Sequence, residues 1–130
     1  MFSRKRKSFV AVVEDDVGVR EALLELLRSC NIKARGFSSA EQFLSSQQRL
    51  QAACLVVDMR LPGMTGLELL EGLRGRGLHI PAICVTAEAD PDGRLRRDLL
   101  QAGALAVLGK PFDSGQLLGL IDSALSQTAP

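Results

Sequence analysis

Short, nearly unbroken apolar runs alternate along this chain with longer stretches in which apolar residues recur every three or four positions. The runs Phe9 to Val13, Ile32 to Gly36, Cys54 to Val57, Ala82 to Val85 and Leu105 to Leu108 are candidate strands. A run with no internal polar alternation is what a strand covered on both faces needs, so the pattern predicts strand-helix units around a parallel sheet. Between the first two runs, Val19, Ala22, Leu23, Leu26 and Leu27 mark the buried face of a helix over residues 16–29. Ser38 stands three residues before Glu41, and Thr65 three before Glu68, the spacing of a capping box. Asp90-Pro91 and Asp113 read as two further helix starts. Gly36, Gly63, Gly77 and Gly103 punctuate the ends of elements, and no linker, internal repeat or low-complexity segment is evident.

A length of 130 residues with 46% hydrophobic content suits one domain spanning residues 1–130, with a core of about 8–125. Residues 1–7 form a basic leading segment and residues 126–130 a small, polar, flexible tail. Sixteen Lys and Arg against fifteen Asp and Glu leave a net charge of +1, so no global field favours nucleic acid or an acidic membrane. The local run Arg4-Lys-Arg-Lys7 is short and free of aromatics, which reads as solvation of the first strand. Cys30, Cys54 and Cys84 lack paired spacing and read as reduced, buried thiols. With no signal-peptide core and no apolar stretch of membrane length, the expected location is the cytoplasm and no membrane contact is expected. His79, the single histidine, reads as a surface residue, and Met59 and Met64 as packing residues.

Chemistry collects at the ends of the candidate strands. Glu14, Asp15 and Asp16 follow the first, Asp58 ends the third, Thr86 the fourth and Lys110 the fifth. In an open parallel sheet these ends face one crevice. Carboxylates about 4 Å apart repel by roughly 4 kcal/mol at an effective dielectric of 20, so the cluster calls for a hard divalent cation, Mg²⁺ or Mn²⁺. Lys110 adds a positive charge, and the Thr86 hydroxyl can donate to a phosphoryl oxygen. An oxygen nucleophile, a metal site and donors are the parts of phosphoryl transfer, with Asp58 as the nucleophile.

The segments Val13-Glu-Asp-Asp-Val-Gly-Val-Arg20, Val57-Asp-Met-Arg-Leu-Pro-Gly-Met-Thr-Gly-Leu-Glu68, Val85-Thr-Ala87 and Gly109-Lys-Pro-Phe112 occur in order at domain spacing. Together they make the chain resemble a receiver domain of the two-component response regulators, of the CheY-like superfamily. The resemblance implies a flavodoxin-like doubly wound fold, with five parallel strands in order 2-1-3-4-5 flanked by five helices. It also implies phosphoryl transfer to Asp58 from a sensor histidine kinase or phosphotransfer protein, with signalling by conformational change. By the same resemblance Asp15 binds the metal directly and Glu14 through water, Asp58 and the Arg60 carbonyl complete the metal site, and Thr86 and Lys110 contact the phosphoryl group. Asp16 then starts the first helix, and Pro111 is expected to be cis. Val107 occupies the place where the family commonly has a switching Tyr or Phe, so it departs from the usual relay.

Arg60 and Glu88, two residues beyond Asp58 and Thr86, are expected to tune access to the site. The chain is expected to act as no enzyme beyond its own phosphorylation and dephosphorylation. An aspartyl-phosphate phosphatase of the haloacid dehalogenase type would carry a second Asp where Arg60 stands, and a dinucleotide-binding domain would need a glycine-rich turn after the first strand. The remaining rival is a degenerate receiver that docks partners without phosphorylation. Output is expected through a downstream protein, or through a further domain if the chain is a piece of a longer regulator, with no direct nucleic-acid contact by this domain. A homodimer through the fourth helix, fifth strand and fifth helix is among the assemblies the resemblance allows.

Overall fold

The computed structural model describes residues 9–87 and 89–127, the last of these by its backbone alone. Its strands are β1 (Phe9–Val13), β2 (Ala34–Phe37), β3 (Ala52–Asp58), β4 (Ala82–Thr86) and β5 (Ala104–Gly109). Its helices are α1 (Val17–Ser29), α2 (Ala40–Ser45), α3 (Gly66–Gly75), α4 (Arg94–Gln101) and α5 (Ser114–Gln127). The sheet is parallel throughout, in the expected order β2-β1-β3-β4-β5. The Arg4–Lys7 run and Glu88 lie outside the described residues, as do residues 128–130 of the expected tail. Ser126 and Gln127 belong to α5, so the expectation of a tail from 126 is corrected: helix bonding carries past the last apolar residue, with Ser126 Oγ donating to Asp122 O at 3.0 Å.

Strand pleating divides the core in two. Phe9, Ala11, Val13, Leu55 and Val57 point to a layer shared with Phe43 of α2, Leu69 and Leu73 of α3 and Leu99 of α4. Val10, Val12, Cys54, Val56, Ile83 and Val85 point the other way, toward Leu24 and Leu27 of α1 and Leu117 and Ile121 of α5. Both faces of the central strands are therefore dry, which is why their sequences read as unbroken apolar runs. Phe37 and Phe43 close the first layer under β2 with rings 5.1 Å apart, edge to face.

Several element boundaries depart from the periodicity. The second strand begins at Ala34, not Ile32, because the chain first turns through Asn31 at a left-handed φ of 61° and Ile32 N donates back to Leu27 O. Gly36 lies within β2 and ends no element. Ser39, not Ser38, caps α2: its side chain accepts from Gln42 N, and Gln42 Oε1 accepts from Ser38 N at 2.6 Å. Helix α4 starts at Arg94 after Gly93, later than Asp90-Pro91 predicts, yet the Asp90 carboxylate still accepts from Leu95 N and Arg96 N. The Thr65–Glu68 capping box is present as read, and Asp113 accepts from Gln116 N at the start of α5. Cys30 is exposed, correcting the expectation that all three thiols are buried, because it ends α1 beyond the last core-facing turn. Among the described residues no helix is long and apolar enough to cross a membrane.

Burial makes a measurable contrast between two leucines five residues apart. Leu55 is fully buried and Leu50 is 57% exposed. Leu55→Ala should lower the unfolding free energy by roughly 2–5 kcal/mol, and Leu50→Ala should stay within about 0.5 kcal/mol of the parent. Urea titration at constant slope reads both.

Candidate functional site

The carboxyl ends of β1, β3, β4 and β5 bring the predicted residues together. Val13 pairs with Val57, Asp58 with Val85, and Thr86 with Gly109, so Glu14, Asp58, Thr86 and Lys110 stand within one step of a common edge. Met59 N donates to Val85 O at 3.0 Å and Lys110 N to Thr86 O at 2.8 Å, which extends the ladder into the site-bearing loops. Asp58 and Thr86 are each only 7% exposed and Glu14 only 4%, whereas Asp15 and Arg60 are exposed.

Lys110 reaches across β4 to Asp58, with Nζ 3.4 Å from Oδ2. The other Asp58 oxygen accepts from Arg60 N at 3.0 Å. The Lys110-Pro111 peptide is cis, as the resemblance implies. Carboxylate oxygens of Glu14, Asp15 and Asp58 lie within 4.8 Å of one another, an all-oxygen donor set of the kind a hard divalent cation takes. The electrostatics fit such a cation. Burial pushes the Glu14 carboxyl from 4.5 up to about 7; the hydrogen bond from Asp16 N opposes the rise, Asp58 reinforces it and Lys110 offsets part of it. One lysine does not neutralise three acids.

Supporting contacts that sequence reasoning missed hold the loops. Arg20, one turn into α1, donates to Glu14 O at 2.8 Å, pinning the acidic loop by its backbone. No composition signal marks that role, since the acceptor is a main-chain carbonyl. Glu41, read as half of a capping box, instead accepts from Met64 N at 2.9 Å and steadies the loop after Asp58. A Cβ at Gly63, whose φ is +73°, would lie 2.6 Å from Glu41 Oε2, and one at Gly66 would overlap Met59 Cε. Met59 is buried there and Met64 half-buried beside it, the packing roles expected of them. Asp16 caps α1 by accepting from Val19 N, as expected, and takes no place among the clustered oxygens. His79 is exposed. Val107 is half-buried against the α2–α4 layer, and its carbonyl accepts from Arg96 Nη1 at 3.2 Å. The Glu88 side of the expected Arg60–Glu88 pair lies outside the described residues.

Residues 10–122 match the family model of the response regulator receiver domain. The chain is 37% identical over 120 residues to the transcriptional regulatory protein FixJ of Azorhizobium caulinodans, covering 92% of this chain and 56% of that protein. It is 37% identical over 118 residues to nodulation protein W of Bradyrhizobium diazoefficiens, covering 91% and 51%. The chain thus spans about half the length of the curated relatives it matches. Among solved structures, the response regulator StyR superposes with a TM-score of 0.84 at 41% identity, over 94% of this chain and 61% of that one. FixJ-N also gives 0.84, at 29% identity, over 96% and 98%.

The buried Glu14 makes stability depend on pH in a defined direction. Between about pH 4.5 and 7 the folded protein holds a proton that the unfolded chain has released, so this group's contribution is lost as pH rises through that window. With divalent cations chelated, Glu14→Gln should therefore gain stability relative to the parent on going from pH 4 to pH 8. Urea midpoints at the two pH values check this; a gap between the proteins that stays constant contradicts it.

Proposed function

Since the chain belongs to the response regulator receiver domain family, we propose that Asp58 accepts a phosphoryl group and that the resulting change of surface carries a signal. The observation that supports this most is the convergence of Glu14, Asp15, Asp58, Thr86 and Lys110 at one sheet edge, with Lys110 Nζ 3.4 Å from the Asp58 carboxylate. In the proposed transfer, an Asp58 oxygen forms a bond to phosphorus as the bond from phosphorus to the donor's imidazole nitrogen breaks, and the electron pair leaves with that nitrogen. The donor is a sensor histidine kinase or phosphotransfer protein. Hydrolysis reverses the state: water attacks phosphorus and Asp58 is released as a carboxylate with inorganic phosphate. On this reading the chain turns over no external substrate.

Asp15, Asp58 and the Arg60 carbonyl would hold Mg²⁺, with Glu14 behind them. Bound there, the ion would supply charge neutralisation for the acids and the incoming phosphoryl oxygens. Lys110 balances the Asp58 charge and, after transfer, lies ready for a phosphoryl oxygen; Thr86, beside it on β4, supplies a hydroxyl. Arg60, exposed on the loop beyond Asp58, limits the approach of water. The complete set of acids, Thr86 and Lys110 favours this reading over a module that docks without phosphorylation. A cytoplasmic location goes with a kinase donor of this kind. An additional output domain and a dimer through α4, β5 and α5 are part of the same proposal for a longer native protein.

Incubation with Mg²⁺ and acetyl phosphate should give a base-labile acyl phosphate, absent in Asp58→Asn and strongly reduced in Asp15→Asn. Labelling of Asp58→Asn at the parent's level would refute the assignment. A second expectation concerns Val107, whose branched, short side chain cannot swing as an aromatic ring does. Hydrogen exchange with and without a phosphoryl mimic should change more at Ala87–Pro91 than at Leu105–Leu108. Equal changes in the two segments would show that β5 relays the signal without the ring.

A further inference from the structure

Two open concavities of the described surface lie away from Asp58, along the open edge of β2. One, of about 650 Å³, is lined by Phe9, Arg28, Asn31, Ile32, Lys33, Ala34 and Arg35. The next, of about 550 Å³, shares Arg28 and Arg35 and continues past Gln42, Ser45 and Gln48. Among the described residues no carboxylate lines either one. Among the described residues, Arg28, Lys33 and Arg35 have no ion-pair partner, although Glu21 and Glu25 stand on α1. Three uncompensated cations along one groove make a site for a polyanion.

The wider charge distribution reinforces this. The segments that lead into β2, β3, β4 and β5 carry Lys33, Arg49 and Arg76 and no acid, while those that leave the strands hold Glu14, Asp15, Asp16, Glu88, Asp90, Asp92 and Asp113 against Arg60 and Lys110. A net charge of +1 therefore hides a molecule with an acidic end and a basic end.

The groove has one more specific feature. The Arg35 guanidinium lies over the Phe9 ring, 5.4 Å from its centroid, and Arg35 is exposed while Phe9 is buried. An exposed guanidinium placed over a ring by a cation–π contact is a ready partner for an unpaired base, which stacks on arginine. Arg28 is anchored by its own bond to Ala34 O at 3.1 Å, and Lys33 is an exposed charge beside it. We infer that the groove along β2, built from Arg28, Lys33 and Arg35 on Phe9, binds a single-stranded nucleic acid, with phosphates on the cations and a base on the Arg35 plane. This departs from the expectation that the domain makes no nucleic-acid contact. That expectation weighed net charge and one short run, and folding gathers cations that no run displays.

The test uses the full 130-residue chain and a fluorescein-labelled thymidylate oligomer of about twelve nucleotides, read by anisotropy across a salt series. Three phosphate contacts predict that log affinity falls against log salt with a slope of about −2. Lys33→Gln combined with Arg35→Gln should weaken binding by about tenfold or more and bring the slope to about −0.7. Arg35→Lys should keep the slope and still lose affinity, because the charge remains and the stacking plane does not. Acetyl phosphate labelling of Asp58 in each variant shows that the fold is intact. Unchanged affinity in the double variant would overturn the inference. So would binding that disappears when Arg4, Lys5, Arg6 and Lys7 are replaced by Gln, equal displacement by polyglutamate, or equal affinity for the duplex form.

Discussion

A parallel sheet covered on both faces leaves a chain few places to keep a charge. In this molecule Val10 to Val13, Cys54 to Val57 and Ile83 to Val85 are sealed between helices, and polar chemistry is pushed to where the strands stop. Every strand runs the same way, so the stops coincide at one edge. Asp58 and Glu14 sit at the last positions the core still shields, which brings the acids close together and makes their charge costly. The Lys110 ion pair and the Arg20 clamp on Glu14 O both answer that one constraint.

The same constraint explains what could be read in advance. Strands β1 and β4 were legible because their apolar runs end against a charge or a hydroxyl, and the strand-end site followed from their polarity. Asp58, Thr86 and Lys110 converge because their registers are fixed by neighbouring pairs. The second strand was displaced because Ile32 is apolar for a different reason: it packs against the α1–α5 layer from within a turn. Ser38 and Ser39 could not be told apart by spacing, since both meet Gln42: Ser38 donates to its side-chain oxygen, and Ser39 Oγ accepts from its backbone N–H. Contacts to main-chain atoms, such as Arg20 to Glu14 O and Glu41 to Met64 N, leave no compositional trace.

Two ends of one sheet thus carry opposite charge. The acidic end gathers its charges within a few ångströms and buries Glu14 and Asp58; the basic end spreads its charges over open concavities where, among the described residues, no ion-pair partner meets them. The cations of the basic groove come from one short stretch, Arg28 to Arg35, and the β1–β2 pairing, with Arg35 beside Ala11, brings the sequence-distant Phe9 ring to them.

The placement of the three thiols sets how this protein meets electrophiles. Cys54 and Cys84 lie inside the core, and burial pushes both up to about 12, so neither offers a thiolate to a reagent in solution. Cys30 alone is exposed, three residues before Lys33 at the end of the sheet away from Asp58. A maleimide dye added to the native protein therefore marks one position, and the molecule carries its own attachment point for an optical reporter that leaves the Asp58 end of the sheet untouched.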